Sequence, residues 1–227
     1  QLGGDEALAG LAAGLFSVAS VLMRPVTGWA LDHKGRRLIL LAGLAGMIVL
    51  PALFPLFTWL ALIITLRTLQ GLAWSCSSTA VNTVVCDFIP RRRYAEGMGY
   101  FGLTAALSTA VAPALGLAVM RGQGFPTLFW LAAAVEALAL LLSAKLKLPE
   151  LPPDQPHQPL SQSLKQLFNK DAAPASLIML SFLMPYGGIL TFVAMYAVSI
   201  DLGSGGIFFT CLAVTTALMR LLTGPAV

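Results

Sequence analysis

Seven long apolar stretches, separated by short turns that collect most of the charge, leave this chain few folds to choose from. They run over about residues 7–30, 38–57, 60–87, 95–120, 126–146, 172–200 and 205–223. Roughly 20 apolar residues suffice for a helix to cross a hydrocarbon core of about 30 Å, so each stretch is long enough to span a bilayer. The composition agrees: 57% of the residues are hydrophobic and 11% charged, against about half and a quarter in soluble domains. A conventional soluble core is excluded, and the reading is an all-α polytopic membrane protein.

The most informative turn is Gly28-Trp-Ala-Leu-Asp32-His-Lys-Gly35-Arg36-Arg37, where an acid, two glycines and three cations interrupt apolar sequence. Hydrocarbon solvates neither charge nor bare backbone, so this turn sits in water or in a satisfied polar network. A second basic turn, Asp87-Phe-Ile-Pro90-Arg91-Arg92-Arg93, lies two spans further on. Two spans later come Lys145, Lys147, Lys165 and Lys170. These ten cations all fall on one side of the membrane, while the opposite connections offer only Arg121. By the positive-inside rule the basic side is cytoplasmic. The net charge of +4 is therefore explained by a bilayer, and nucleic acid is not an expected partner because the cations cluster at segment ends. Cys76, Cys86 and Cys211 lack ligand-like spacing and read as free apolar residues, with no metal site. The chain has no initiator Met and no basic leader with a cleavage site, so the expectation is a truncated start without a signal peptide.

Along the chain, the first span carries small residues at Ala9, Ala13, Ser17 and Ser20, a face on which helices approach closely. Arg24 and Pro25 stand near its end, the proline expected to bend the helix. The third span carries Arg67, Gln70, Ser75, Ser77, Ser78, Thr79 and Asn82. At 100° per residue, Arg67, Gly71, Trp74, Ser75, Ser78 and Asn82 share an arc of roughly 100°, expected to line a cavity or another helix. The fourth span is rich in Gly and Ala, with a kink expected at Ala112-Pro113. The fifth holds a single acid, Glu136. Prolines crowd the segment from Pro149 to Pro159, an extended linker, with a short surface helix expected over Ser163–Asn169. A break is expected at Pro185-Tyr186-Gly187-Gly188 in the sixth span. The domain reading is an N-terminal helical half over 1–148, a cytoplasmic linker over 149–163 and the start of a C-terminal half over 164–227. One internal repeat supports two halves. Leu22-Met-Arg24-Pro-Val-Thr27-Gly28-Trp-Ala30 matches Leu218-Met-Arg220-Leu-Leu-Thr223-Gly224-Pro-Ala226 at six of nine positions, and parallel repeats are a transporter architecture.

These residues resemble the major facilitator superfamily, in a form similar to drug/proton antiporters. Gly28-x-x-x-Asp32-x-x-Gly35-Arg36-Arg37 looks like its signature loop between helices 2 and 3. Arg67-x-x-Gln70-Gly71 resembles the helix 4 signature, and Ala112-Pro113-x-x-Gly116 is similar to the helix 5 motif of proton-coupled exporters, with Ala112 and Leu117 in place of glycines. The resemblance implies a 12-helix, two-half fold of which these spans are helices 2 to 8, so helix 1 and helices 9 to 12 are expected outside the sequence.

The resemblance implies that Gly28, Asp32, Gly35, Arg36, Arg37 and Arg93 serve a gate, in which charge pairs hold the halves together in one state and part in the other. The plainer reading of the turn is a positive-inside loop with Asp32 as a helix N-cap. Arg67 is costly in an apolar span unless partnered; it reads either as a structural pair or, with Glu136, as a proton-coupling element, with protons the expected coupling ion and no cofactor. Gln70, Trp74, Ser78, Asn82 and Tyr186 are candidates for a substrate cavity, with helix–helix hydrogen bonding as the alternative. Pro113 and Gly116 are candidates for helix bending and packing. No phosphate loop, HExxH or Ser-His-Asp set is present, so an enzyme is not expected, nor a channel. The expected function is proton-coupled export of a small apolar or amphipathic compound, with import of a small polar metabolite as the alternative. The expected setting is a bacterial-type plasma membrane, with the full-length protein monomeric.

Overall fold

A computed structural model describes residues 6–57, 59–148, 173–200 and 206–223. Within them the regular structure is helical: α1 (Glu6–Lys34), α2 (Arg36–Leu53), α3 (Leu60–Phe88), α4 (Tyr94–Gln123), α5 (Phe125–Lys145), α6 (Ala173–Ser199) and α7 (Gly206–Thr223). Short 3-10 turns at Phe54–Leu56 and Arg91–Arg93 join α2 to its loop and lead into α4. The seven helices fall on the seven apolar stretches, and the chain is an all-α polytopic membrane protein. Among the described residues, α1 from Gly10, α2 with its 3-10 extension, α3 and α5 are each long and apolar enough to cross a bilayer. Helices are the natural form of such segments, because each satisfies its backbone hydrogen bonds internally where no water can. The linker and surface helix expected over 149–169 lie outside the described residues.

Three helices run through their prolines. Pro25, Pro51 and Pro185 all lie inside continuous helices, so the break expected at Pro185-Gly188 is corrected: α6 runs through it to Ser199. A proline removes one ladder hydrogen bond, and an apolar helix tolerates this because neighbouring groups re-satisfy the freed carbonyl while hydrocarbon offers no better alternative.

Packing sorts the helices into two compact units. One holds α1, α2, α3, α5 and the last turn of α4; the other holds Ile89–Ala118 with α6 and α7. In the first unit α3 is the hub, packed on α1 and on α2, with α5 on the far side of α2. Lipid tails are as apolar as leucine, so close approach and dispersion hold such helices together. Small residues supply that approach. A Cβ on Gly43 would fall into the backbone of Ser77, one on Gly71 into the carbonyl of Phe16, and one on Gly46 would lie 2.7 Å from the Ala73 methyl. Below these contacts Leu31, Leu40, Leu44 and Ala80 form a buried cluster, flanked by Ile39, Val81, Ala139, Leu140 and Leu148. At the opposite end Phe54 meets Phe129 with ring centroids 5.3 Å apart. The three cysteines, Cys76, Cys86 and Cys211, are thiols.

Candidate functional site

The charged turn is far shorter than its ten residues imply. Helix α1 continues through Gly28 and Asp32 to Lys34, and α2 begins at Arg36. Gly35 alone is non-helical, at φ 90° and ψ 145°, a region that side chains with a Cβ hardly visit. This corrects the N-cap reading of Asp32. The N-cap of α2 is Gly35, with no side-chain capping bond, and Asp32 is an exposed residue in the closing turns of α1. There the helix dipole disfavours an anion, and Asp32 has no ion-pair partner among the described residues. Helical continuity wins because residues 28–34 offer nothing that ends a helix, and Gly28 has open space where a Cβ would be. His33, one residue on, stacks on Trp29 at 4.6 Å and donates its Nδ1–H to the Trp29 carbonyl at 2.8 Å.

The two arginines after Gly35 each reach another helix end. Arg36 Nε lies 2.9 Å from Asp87 Oδ2, with the two side chains 17% and 23% exposed. Arg37 Nη2 donates to the Ala144 carbonyl at 2.7 Å, placing a cation on the C-terminal end of α5 as the dipole favours. The start of α2 is thus tied to the ends of α3 and α5. Asp87 is the residue that sequence reasoning missed as a site member. Its signal lies in the sequence, since a lone acid in the penultimate position of an apolar span needs a cation. Arg93, the gate candidate of that turn, bonds to Glu96 with two contacts of 2.8 and 3.1 Å.

Within α3, Arg67 Nη1 donates to Gln70 Oε1 at 2.9 Å. Its guanidinium also lies 6.0 Å from the Phe16 ring centroid and 5.6 Å from that of Phe54, an arrangement in which ring quadrupoles offset part of the lost hydration. No carboxylate reaches Arg67 among the described residues. Glu136 is half-buried at mid-length of α5 and is not paired with it. The polar arc of α3 is divided between tasks. Gly71 and Ser75 are buried, Gly71 directly against α1, and Gln70 is buried as the acceptor for Arg67. Trp74 and Asn82 are exposed and Ser78 is half-buried. Asn82 turns its amide onto the Ser78 carbonyl at 2.8 Å. One helical face therefore serves packing, ion restraint and exposure in turn, because neighbours on both sides of α3 compete for it. Ser75 Oγ is fully covered and has no hydrogen-bond partner among the described residues.

Pro113 and Gly116 both lie in α4, Gly116 half-buried, and Tyr186 is exposed on α6. The structure brings together Arg36 with Asp87, Arg37 with the end of α5, and Arg67 with Gln70. Asp32 and Glu136 are left apart from these pairs.

Against known families and proteins, the chain matches the model of the Major Facilitator Superfamily over residues 1–227. It is 20% identical to a staphylopine export protein of Staphylococcus aureus over 231 residues, covering 97% of this chain and 57% of that protein. It is 26% identical to the inner membrane transport protein YajR of Escherichia coli, over 62% of this chain and 31% of the relative. It is also 26% identical to multidrug resistance protein 2 of Bacillus subtilis, over 69% and 39%. The chain thus spans little more than half the length of these relatives, or less.

Proposed function

The chain belongs to the Major Facilitator Superfamily, and from that premise we propose that the complete protein exports a small apolar or amphipathic compound in exchange for protons, by alternating access. Its relatives are transporters by name, and several are named for export or drug resistance.

The observation that carries the coupling reading is the restraint of Arg67. A cation at membrane depth is expensive, yet this one is held by Gln70, Phe16 and Phe54 with no carboxylate among the described residues to neutralise it. A carboxyl that approaches such a cation releases its proton more readily, and one that withdraws into an apolar setting holds it. Alternation between two helix arrangements therefore converts a proton gradient into movement, with Arg67 as the fixed charge and Glu136 as the acid within the same unit. The gate is assigned to the basic end of the helices, which faces the cytoplasm by the positive-inside rule. Its members are Gly28, Asp32, Gly35, Arg36, Arg37 and Arg93, with Asp87 added as the anchor of Arg36. Asp32 fits this role because it is exposed and opposed by its own helix dipole. An anion in that place gains from a cation that arrives in one state.

The test uses the full-length protein in vesicles with an imposed pH gradient, following a panel of amphipathic dyes. Uphill movement that collapses with the gradient, and is lost in Arg67→Ala and Glu136→Gln, is the expected result. Transport that ignores the gradient, or survives Arg67→Ala unchanged, removes the coupling assignment.

A further inference from the structure

We infer that the turn leading into α4 is a docking surface for the headgroups of anionic phospholipids, with Arg91 and Arg92 as its ligating groups. The contrast with the neighbouring cations carries the argument. Arg36, Arg37 and Arg93 each have an acceptor within the protein: the Asp87 carboxylate, the Ala144 carbonyl and the Glu96 carboxylate. Arg91 and Arg92 are exposed and have no carboxylate within ion-pair distance among the described residues. The nearest acids in sequence are both occupied, Asp87 by Arg36 and Glu96 on two contacts by Arg93. Two full positive charges are therefore presented side by side without a counter-charge among the described residues.

The turn that presents them is fixed. Pro90 is extended at φ −60° and ψ 139°, the Arg93 N–H donates to the Pro90 carbonyl at 2.9 Å, and the Ile89 side chain packs on Gly97, where a Cβ would lie 2.8 Å from it. The Arg93–Glu96 fork closes the same turn from the other side. Little ordering remains to be done when a ligand arrives, which favours binding. The ligand class follows from depth and chemistry. The membrane-spanning helix α3 ends at Phe88, so Arg91, three residues on, stands at headgroup level. Guanidinium forks match phosphate oxygens in pairs, and a basic residue near an anionic bilayer surface contributes about 1 kcal/mol. A phosphatidylglycerol-type headgroup carries its phosphate charge uncompensated, whereas phosphatidylcholine shields it with its own ammonium. Tyr94, exposed beside the turn, supplies the amphipathic ring typical of this depth.

The experiment measures phosphatidylglycerol binding to the full-length protein by native mass spectrometry, from membranes of phosphatidylcholine titrated with phosphatidylglycerol. Affinity for phosphatidylglycerol is expected to fall about fivefold for each arginine replaced by glutamine, so that R91Q/R92Q loses about 25-fold at this site. The charge-preserving R91K/R92K, which keeps the electrostatic attraction and loses the paired donors, is expected to fall between the parent and R91Q/R92Q and controls for misfolding. Unchanged binding in R91Q/R92Q overturns the inference. So does displacement of the lipid by inorganic phosphate at comparable concentration, which would make the turn a site for free anions.

Discussion

Arg36 and Asp87 stand on the wrong ends of their helices, and this makes their coupling measurable. Arg36 is the first residue of α2 and Asp87 the penultimate residue of α3, so each opposes its own helix dipole at a cost of about 0.3–1 kcal/mol. Between charge centres about 4 Å apart at an effective dielectric of about 20, their attraction is about 4 kcal/mol. Partial dehydration of two side chains that are 17% and 23% exposed takes back much of that. A net coupling of about 1–2 kcal/mol remains. Arg36→Gln and Asp87→Asn are each expected to lower unfolding stability by about 2 kcal/mol, and the double variant by less than the sum of the two by about 1–2 kcal/mol. The assay is chemical unfolding of the full-length protein in detergent micelles, read by tryptophan fluorescence. The exchanged pair R36D/D87R sharpens the test, since each charge then agrees with its helix dipole. It is expected to match or exceed the parent in stability by up to about 2 kcal/mol. Additive single effects within about 0.3 kcal/mol, or an exchanged pair less stable than the double neutral variant, would refute the reasoning.

Two further outcomes follow from local geometry. Gly35→Ala places a Cβ at φ 90° and is expected to cost about 1–3 kcal/mol, seen as a lower unfolding midpoint in the same assay; no change would mean that the α1–α2 joint relaxes freely. Ser75→Ala removes a fully covered hydroxyl with no hydrogen-bond partner among the described residues and is expected to stabilise by about 1 kcal/mol, checked by the same melt; a loss of stability would reveal a partner for Oγ.

Much of the fold was legible because the bilayer asks for one thing, a long apolar run, and the sequence supplies it seven times. Boundaries were harder. Polar residues from Gly28 to Arg37 look like a loop to any reading based on hydropathy, yet a helix leaving the hydrocarbon keeps its ladder in water until a residue such as Gly35 breaks it. The prolines misled at Pro185 for the opposite reason: propensities measured in water overstate their effect where unpaired backbone is costlier still. Periodicity places the α3 arc on one side of the helix, but it does not say which neighbour claims which residue. Gly71 went to α1 and Trp74 to the exposed side, while Gln70, outside the arc, holds Arg67. Asp87 escaped because pairing with Arg36 joins residues far apart in sequence, which no local pattern records.

The single-residue joint at Gly35 has a mechanical meaning. Helix α1 is 29 residues long, a rod of about 43 Å at 1.5 Å per residue. If α2 is held by Arg36 and Arg37 at the ends of α3 and α5, any swing of α1 relative to α2 passes through two backbone dihedrals. A rotation of about 10° there carries the far end of the rod about 7 Å, more than the rise of one helical turn. Because α1 is also packed along α3, with Gly71 set against the Phe16 backbone, such a swing would have to break that contact or carry α3 with it, so the joint leaves the angle free and the α1–α3 face sets it.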